Sequence, residues 1–498
     1  MSSSDTLLAI DLGAESGRAV TGRFDGKRLQ LAEVRRFANQ PVDIAGTLYW
    51  DILGIFANVE LALEAARASG RLRSVGIDTW GVDFGLLDRR GRLIANPVHY
   101  RDRRTEGMME RAFEIVPREA IFNATGNMFL ELNTLYQLLS LCLAQDPALE
   151  MAERMLNIPD LMHYWLSGEM AHELTIASTT QCVAADRKDW ARDLLRGLAI
   201  PARLFGQIVA PGTCLGPLRA HKETKVIAPA SHDTGSAVMA VPARGSNIAW
   251  ISSGTWSVVG IVTDAPVVTL DVLTFNFTNE AAWGGRNRLS RNVMGLWILQ
   301  ECRRQWATGG ETLSYDDLVA LARRCEPLRS LIDPDDARFF RPGAMVSTIR
   351  EYCALTNQPV PQSPGEIARC VFESLALAYR KALECVGRLA NAEIETIHVV
   401  GGGSRNALLC QFTADATRRP VVAGPAEATA IGNLLAQAVT NGWIGTEEEM
   451  VEVVRQSFSE QCFSPSGGDA WEQAFVRFQG LAPGDAGGNT SYPGDSRA

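Results

Sequence analysis

The sequence predicts an α/β protein built from two related domains with a cleft between them. Its 498 residues are too many for one ordinary hydrophobic core. Each half opens with two short apolar strands around a turn of small residues, first at 7–21 and again at 248–262. Each half later carries a buried strand that is followed by glycine and polar residues. We expect domains at 1–244 and 245–482, with a disordered tail at 483–498 that is rich in Gly, Pro, Ser and Asp.

The first predicted strand ends in a turn of a kind that suits phosphate. The apolar run Leu7–Ile10 predicts a buried strand, and Gly13 and Gly17 bracket small and polar residues just after it. Such a turn aims backbone N–H groups into a concave nest for phosphate. Asp11 at the strand end is placed to hold Mg²⁺ through water, because magnesium keeps much of its hydration shell. The alternative is an ordinary hairpin with a solvated aspartate.

A second group of polar residues follows the next buried strand. Helical periodicity covers Trp50–Ala68, and Ser74–Ile77 predicts the strand. The segment Asp78–Phe84 then combines carboxylates, aromatic rings and Gly81, which is the mixture that a sugar site needs. The alternative is a core tryptophan beside a β-turn. The run Tyr100–Arg104 either adds polar contacts to this site or is a solvated charge run.

A candidate catalytic base lies at the end of the strand predicted at Lys225–Ala228. There Asp233 is placed to accept a hydroxyl proton during phosphoryl transfer, the role that such reactions give to an aspartate. The alternative is an N-cap for the helix predicted at Gly235–Ala240, and both roles are compatible. His232 is either a partner for a sugar hydroxyl or a structural histidine.

The second half repeats the glycine turns of the first. Ser253-Gly254-Thr255 matches the first turn, and together the two turns suggest a clamp on one phosphate chain. After the long helix predicted at Glu366–Leu389, the strand Ile397–Val400 runs into Gly401-Gly402-Gly403, where a backbone can approach a ligand closely. The alternatives are a tight hairpin and an ordinary helix-initiating turn. GxGxxG and GxxxxGK[ST] patterns are absent, so Rossmann and P-loop sites are not predicted.

Composition limits the classes of partner. Asp and Glu number 57 against 48 Lys and Arg, a net charge of −9, so the chain lacks the basic footprint of a general nucleic-acid binder. The ten cysteines form no CxxC pair, which argues against a thiolate metal site and fits a reducing cytoplasm. The N-terminal segment does not resemble a signal peptide, and no apolar run approaches the roughly 18 residues of a membrane span. We therefore expect small-molecule partners and neither nucleic acid nor membrane.

Ten motifs in order make the chain resemble the FGGY family of carbohydrate kinases. The resemblance covers about Leu7 to Phe478, and GIDTWGVDF with NTLYQL is most similar to the branch that acts on L-rhamnulose. The motifs are DLGAESGR, GIDTWGVDF, YRDRR, FLELNTLYQL, ASTTQ, SHDTGSAV, SSGTWS, NVMGLWILQ, VVGGGSRN and EATAIGN.

This resemblance implies two ribonuclease-H-like (actin-like ATPase) domains, with ATP bound mainly by the C-terminal one and sugar by the N-terminal one. The implied reaction transfers phosphate from ATP, with Mg²⁺, to L-rhamnulose, and Asp233 is the implied proton acceptor. The implied sugar contacts are Gly81, His232, Asp233, Thr234 and Asn292, to which the Asp78–Phe84 segment adds Asp83. The implied nucleotide contacts are Ala14, Glu15, Ser16, Gly17, Arg18, Thr255, Gln300, Gly401, Gly402 and Gly403.

Two residues depart from the family pattern. Glu15 occupies a position in the phosphate turn where a small or hydroxyl residue is expected, so its charge should face away from the nucleotide. Glu131 stands where the similar branch has proline. The alternative substrates are another ketose or polyol, such as L-fuculose, L-ribulose or D-xylulose, and the oligomeric state is a monomer or a homodimer.

Two other classes of protein fit the sequence less well. An actin-like or chaperone-like ATPase without a small-molecule acceptor has no need of the polar strand end at Ser231–Ser236. A sugar-sensing regulator would need a DNA-binding element, and the sequence shows neither a basic helix pair nor zinc-finger spacing.

Overall fold

The computed structural model of the chain describes residues 5–243, 247–340 and 342–481. The tail predicted at 483–498 and the domain boundary predicted between 244 and 245 lie outside these described residues. Within them, every helix is too short or too polar to cross a membrane.

The described residues divide into two compact units. The first comprises 5–243, Val262–Leu289 and Ala428–Phe458, and the second comprises 247–261, 290–427 and 459–481. The sequence-based division assigned all of 245–482 to the second domain, whereas 262–289 and 428–458 group with the first unit.

Nineteen strands are present in the described residues. They are β1 (Asp5–Leu12), β2 (Ser16–Phe24), β3 (Leu29–Ala38), β4 (Pro41–Ile44), β5 (Thr47–Trp50), β6 (Arg71–Thr79), β7 (Phe84–Leu87), β8 (Arg154–Asn157), β9 (His172–Glu173), β10 (Ile208–Val209), β11 (Thr213–Leu218), β12 (His221–Ala228), β13 (Ile248–Ser253), β14 (Trp256–Thr263), β15 (Thr278–Ala281), β16 (Asn287–Met294), β17 (Thr396–Val400), β18 (Val421–Ala423) and β19 (Gln461–Phe463).

Eighteen α-helices accompany these strands in the described part of the chain. They are α1 (Ile52–Ser69), α2 (Met108–Ile115), α3 (Arg118–Thr125), α4 (Thr134–Leu143), α5 (Pro147–Met151), α6 (Ile158–Ser167), α7 (Leu174–Ala177), α8 (Arg192–Gly197), α9 (Asp233–Met239), α10 (Leu270–Thr274), α11 (Trp297–Thr308), α12 (Tyr315–Arg323), α13 (Met345–Leu355), α14 (Pro364–Ala390), α15 (Ala407–Thr417), α16 (Ala428–Thr440), α17 (Glu447–Ser457) and α18 (Gly468–Gln479).

The first large sheet has six strands in the order β11-β12-β6-β1-β2-β3. Strand β1 lies inside it, antiparallel to β2 and parallel to β6. Its apolar residues Leu7–Ile10 are fully buried, as a near-continuous apolar run predicts for a strand covered on both faces. Because β6 and β12 are also parallel, the C-terminal ends of β1, β6 and β12 meet at one edge of the sheet. The polar residues that follow these strands therefore come together.

The second large sheet has seven strands in the order β15-β16-β14-β13-β17-β18-β19. Strand β13 is antiparallel to β14 and parallel to β17, which repeats the pairing of β1 with β2 and β6. The two strand–turn–strand openings expected from the sequence are thus both present.

Capping residues set the ends of two predicted helices. Helix α1 begins at Ile52, two residues later than predicted, because the Asp51 side chain accepts a hydrogen bond from the Gly54 N–H. Helix α14 begins at Pro364, two residues earlier than predicted, because Ser363 and Glu366 form a capping box and proline is suited to the first helical position.

One capping interpretation is corrected by the structure. Helix α9 begins at Asp233 itself, and His232 occupies the N-cap position without a side-chain capping bond. The carboxylate of Asp233 is therefore a first-turn residue that accepts from the next backbone N–H, that of Thr234.

Candidate active site

The loop that carries Asp233 is fixed by hydrogen bonds from neighbouring elements. The Ser231 N–H donates to the buried carboxylate of Glu173 at 3.0 Å, and the Ser231 carbonyl accepts from the Thr79 N–H at 2.9 Å. The His232 N–H donates to Oγ1 of Thr175 at 3.2 Å. Because the loop backbone is held on both sides, the direction in which the Asp233 side chain leaves the backbone is defined.

The Asp233 carboxylate is accessible and electrostatically perturbed. About a third of its side chain is exposed, 34%, and its Oδ1 lies 3.3 Å from Nε2 of His232. Burial of the rest of the group raises the pKa of Asp233, and the negative charge of Asp11 raises it further, whereas the charge of His232 lowers it. A reachable carboxylate with a raised pKa is suited to accept a proton.

Two further carboxylates lie at the ends of the adjacent strands. Asp11 and Asp78 are paired in the register of β1 and β6. Arg18 donates to Asp11 through Nε at 2.8 Å, and its NH2 group lies 2.7 Å from the same oxygen. Asp78 is fully buried, and its pKa is raised well above the ordinary value by burial, by Asp11 and by Asp233. The charge of Asp11 thus raises the pKa of both Asp78 and Asp233, because like charges repel.

The carboxyl groups at these strand ends fit the magnesium site predicted at Asp11 if water molecules supply most of the metal ligands. Oδ1 of Asp78 is a buried oxygen without a hydrogen-bond partner in the described structure, so a nearby cation is compatible with this group. However, no cluster of three or more His, Cys, Asp or Glu side chains spaced for a metal occurs in the described residues. Magnesium is commonly bound through one or two carboxylates with several waters retained.

The turn after β1 is closed by backbone bonds. The Gly13 N–H donates to the Ser16 carbonyl at 2.9 Å, and Asn39 bonds to the carbonyls of Glu15 and Gly13 at 2.9 and 2.7 Å. Ala14 is half-buried, whereas Glu15 and Ser16 are exposed. A β-carbon at Gly17 would collide with the Phe37 ring, so glycine lets this ring pack against the backbone.

Asp83 is enclosed and does not reach the protein surface. Its carboxylate accepts from Nε1 of Trp50 at 2.6 Å, from Nε1 of Trp80 at 2.9 Å and from Nε2 of Gln137 at 3.2 Å. The residue is 1% exposed, and burial raises its pKa to about 6 although these three bonds lower it. This geometry favours an organising role for Asp83 over the direct sugar contact expected from its position in the motif.

Asp83 holds together a wall of aromatic rings. The ring centroids of Trp50 and Trp80 are 4.1 Å apart, and those of Trp50 and His99 are 4.2 Å apart. Gly81 lies beside the wall, where a β-carbon would come 3.0 Å from Oγ1 of Thr179. Trp50 and His99 were not predicted as members of the site: Trp50 lies outside the motifs, and His99 lies just before the run Tyr100–Arg104.

The run 100–104 is not a solvated charge run. Arg104 donates from NH2 to Oε1 of Gln137 at 2.6 Å, and Asp102 accepts from the Leu48 N–H at 2.8 Å. The guanidinium of Arg101 lies 5.5 Å from the centroid of the Tyr100 ring. The Tyr100 ring attaches the run to the aromatic wall, with its centroid 4.5 Å from that of His99.

In the second unit, the Ser253–Thr255 turn packs on the start of α11. The Leu296 N–H donates to the Gly254 carbonyl at 3.0 Å, and the Trp297 N–H donates to the Thr255 carbonyl at 3.1 Å. Nε2 of Gln300, one turn further along α11, lies 3.3 Å from Oγ1 of Thr255. The two residues predicted to contact nucleotide are therefore direct neighbours.

The triple glycine packs on the same turn. Gly401 has φ +81°, and a β-carbon on it would come 2.9 Å from the Ser253 carbonyl oxygen. A β-carbon on Gly403 would come 2.6 Å from Cβ of Ser253, whereas Gly402 has no atom within 4 Å of that position. The predicted nucleotide residues Thr255, Gln300, Gly401 and Gly403 thus all lie at or against the Ser253–Thr255 turn. Asn292 lies in β16 and is half-buried, and its predicted role stays a prediction.

Sequence reasoning missed several residues that contact predicted site residues. Glu173 fixes the Asp233 loop, and Glu280 and Arg288 contact the His232 ring at 3.2 and 3.0 Å. Glu173 is 58 positions from Ser231 and Arg288 is 56 positions from His232 in the sequence, so no local pattern identifies these contacts.

Known families match nearly the whole chain. The family model for the FGGY family of carbohydrate kinases, N-terminal domain, matches residues 6–239, and that for the C-terminal domain matches residues 249–441. The chain is 45% identical to a rhamnulokinase of Bacteroides thetaiotaomicron over 479 residues, 95% of this chain and 98% of the relative. It is 40% identical to a rhamnulokinase of Oceanobacillus iheyensis, over 91% of this chain and 96% of the relative.

Solved structures show the same fold at low sequence identity. A ligand-bound xylulose kinase from Lactobacillus acidophilus matches with a TM-score of 0.81 at 15% identity, over 96% of this chain and 97% of that one. A glycerol kinase from Plasmodium falciparum with ADP matches with a TM-score of 0.77 at 13% identity, over the same shares of the two chains. The predicted fold class is confirmed by these likenesses.

Proposed function

This chain belongs to the FGGY family of carbohydrate kinases, and we propose that it transfers the terminal phosphoryl group of ATP to the primary hydroxyl of L-rhamnulose. The observation that carries the chemistry is the Asp233 carboxylate, partly exposed, raised in pKa and held at the start of α9. The choice of sugar rests on the rhamnulokinases that are 38–45% identical to this chain.

The reaction needs one base and a way to balance phosphate charge. Asp233 takes the proton of the sugar hydroxyl while the hydroxyl oxygen forms a bond to the γ-phosphorus of ATP. The bond from that phosphorus to the bridging oxygen breaks, ADP leaves, and Asp233 later gives the proton to solvent. Mg²⁺, when bound, would neutralise charge on the phosphates, and Asp11 would hold it through water. Arg18 keeps the Asp11 carboxylate in place through its two contacts.

The remaining contacts are proposed from the motifs that the chain shares with the FGGY family. We assign the nucleotide to the turn at Ala14–Arg18, to Thr255 with Gln300, and to the Gly401–Gly403 turn. We assign the sugar to Gly81, His232, Thr234 and Asn292, with Asp83 supporting the aromatic wall. Glu15 is exposed at the turn, which allows its charge to point into water. A cytoplasmic location and a monomer or homodimer complete the proposal.

A coupled assay of ADP release across a panel of ketoses tests the function. We expect the highest kcat/KM with L-rhamnulose, lower values with L-fuculose, L-ribulose and D-xylulose, and little ADP release without sugar. Asp233→Asn should lose about 10²- to 10⁴-fold in kcat, the range of a general base, while nucleotide binding measured by calorimetry survives. The exposed Asp264→Asn is a matched control that should retain wild-type turnover.

Two results would contradict the proposal. ADP release at the same rate with and without sugar would identify an ATPase instead of a kinase. A fully folded Asp233→Asn variant with near-normal turnover would remove the base from the mechanism. A higher kcat/KM on another ketose of the panel would replace L-rhamnulose as the substrate and leave the kinase chemistry intact.

A further inference from the structure

A buried ion pair lies behind His232, on the side away from Asp233. Oε2 of Glu280, from β15, lies 3.2 Å from Nδ1 of His232 and 2.9 Å from the NH2 group of Arg288, from β16. The same NH2 group lies 3.0 Å from Nδ1 of His232. Glu280, Arg288 and one nitrogen of the imidazole thus form a triangle of contacts.

The pair is enclosed and firmly held. The Arg288 side chain is fully buried, and its Nε donates to the Ala281 carbonyl at 3.1 Å. Burial by itself would raise the pKa of Glu280, but the charges of Arg288, His232 and Arg187 lower it to about 2. The ionised form of Glu280 is therefore favoured, and breaking such a pair would leave a buried charge.

The ring of His232 contacts both Glu280 and Asp233, one through each nitrogen. With Nδ1 fixed against Glu280 and Arg288, the opposite nitrogen Nε2 lies 3.3 Å from Oδ1 of Asp233. A carboxylate that binds one imidazole nitrogen fixes both the orientation of the ring and the proton arrangement on the other nitrogen. The same oxygen of Asp233 also accepts from the Thr234 N–H and from Oγ1 of Thr234 at 3.1 Å, so His232 is one of three contacts that orient the carboxylate.

We propose that Glu280 is a positioning residue for phosphoryl transfer: paired with Arg288, it orients His232, and His232 in turn sets the direction in which Asp233 presents its carboxylate to the sugar hydroxyl. The proposal rests on the proposed kinase function for its kinetic consequences, although the contact chain itself does not depend on turnover. No atom of Glu280 needs to contact sugar or nucleotide.

The competing explanation is that the pair merely stabilises the fold. A structural pair would affect the free energy of unfolding whatever residue occupies position 232. A positioning residue acts through the imidazole, so its effect on kcat must vanish when the imidazole is removed. A double-mutant cycle separates the two explanations.

The cycle uses Glu280→Gln, His232→Ala and the combined variant. We expect Glu280→Gln to lower kcat by about 10- to 100-fold, the range seen when the hydrogen-bond partner of a metal-binding histidine is lost, with KM for ATP within about twofold of wild type. In the His232→Ala background, the same change should lower kcat by less than about twofold. Wild-type kcat in a folded Glu280→Gln protein, or full multiplication of the two single effects, would overturn the proposal.

A second variant guards against loss of folding. Glu280→Gln leaves the buried Arg288 without its counter-ion, which by itself destabilises a protein. Glu280→Met combined with Arg288→Met removes both charges and keeps side chains of similar length. We expect this variant to remain folded by thermal unfolding and to lose kcat as Glu280→Gln does. Wild-type kcat in this variant would overturn the positioning role.

A spectroscopic readout makes the test independent of turnover. The chain has six histidines, so long-range ¹H–¹⁵N spectra of the ¹⁵N-histidine-labelled protein resolve few ring signals, and the His232 signals are those lost in His232→Ala. We expect Glu280→Gln to shift the His232 ring nitrogens and leave the other rings in place. Unchanged His232 signals would overturn this proposal, whereas a wild-type protein inactive on every ketose would contradict only the proposed function.

Discussion

The Nδ2 group of Asn433 donates to Oδ2 of Asp78 at 2.6 Å, although the two residues are 355 positions apart in the sequence. Asn433 lies on α16, and Asp78 lies at the end of β6, beside the strand that carries Asp11. Burial and the charge of Asp11 raise the pKa of Asp78, and the Asn433 bond works against this by stabilising the charged form. Asn433 thus supports a carboxylate close to the proposed catalytic base.

Replacing Asn433 by alanine should destabilise the protein. The change leaves a buried carboxyl group without its donor, so the free energy of unfolding should fall by about 1–3 kcal/mol, as measured by urea titration followed by circular dichroism. Gln456→Ala, which removes an exposed side-chain amide from α17, should stay within about 0.5 kcal/mol of wild type. Identical urea midpoints for the two variants would contradict the role given to Asn433.

Adjacent glycines in the triple-glycine turn should respond differently to alanine. A methyl group at Gly403 would come 2.6 Å from Cβ of Ser253, whereas one at Gly402 meets nothing within 4 Å. Gly403→Ala should therefore cost about 1–3 kcal/mol by overpacking, with a lowered thermal midpoint. Gly402→Ala should match wild type in the same calorimetric scan. Equal midpoints for both variants would show that the turn accommodates the methyl group by moving.

The raised pKa of Asp233 should be visible in the pH profile. The carboxylate must be ionised to accept a proton, so kcat/KM falls as the pH is lowered through its pKa. Because burial and Asp11 raise that pKa, the fall should be centred above about 3.9, the value of an ordinary aspartate. The thermal midpoint measured at each pH separates this titration from acid unfolding. A profile that stays flat until the protein unfolds would argue against Asp233 as the base.

Replacing Asp83 by asparagine should lower the free energy of unfolding more than the same replacement of an exposed aspartate. In Asp83→Asn the amide group must direct N–H bonds toward Trp50, Trp80 or Gln137, which are all donors to this side chain in the wild type. At pH 7 the free energy of unfolding should fall by about 1–3 kcal/mol in a urea titration. Asp264→Asn serves as the exposed control. An Asp83→Asn variant as stable as this control would show that the network rearranges freely.

Local sequence patterns predicted the strand ends but not what supports them. The buried run Leu7–Ile10 and the glycines that follow it identify a strand and a turn within a dozen residues, and the structure has both. The same is true of Asp233 after β12. These features depend on residues that are close in the chain, so one sequence is enough to recognise them.

The supporting residues depend on contacts that sequence alone does not show. No recognisable motif contains Glu173, Glu280 or Arg288, and each contacts the Asp233 loop only because of the fold. The surroundings of Asp83 were not predicted, for a related reason. Its motif predicts a polar group at a strand end, but only the positions of Trp50 and Gln137 reveal that the carboxylate is already fully engaged.

The grouping of 428–458 with the first unit bears on how this protein is made. A fragment that stops at residue 243 contains Asp78 and Asp233 but lacks Asn433, Glu280 and Arg288. During synthesis, the first unit therefore stays incomplete until nearly the entire polypeptide has left the ribosome. Dividing the gene at the midpoint should therefore yield an unstable N-terminal product, because residues 262–289 and 428–458 would be on the other fragment.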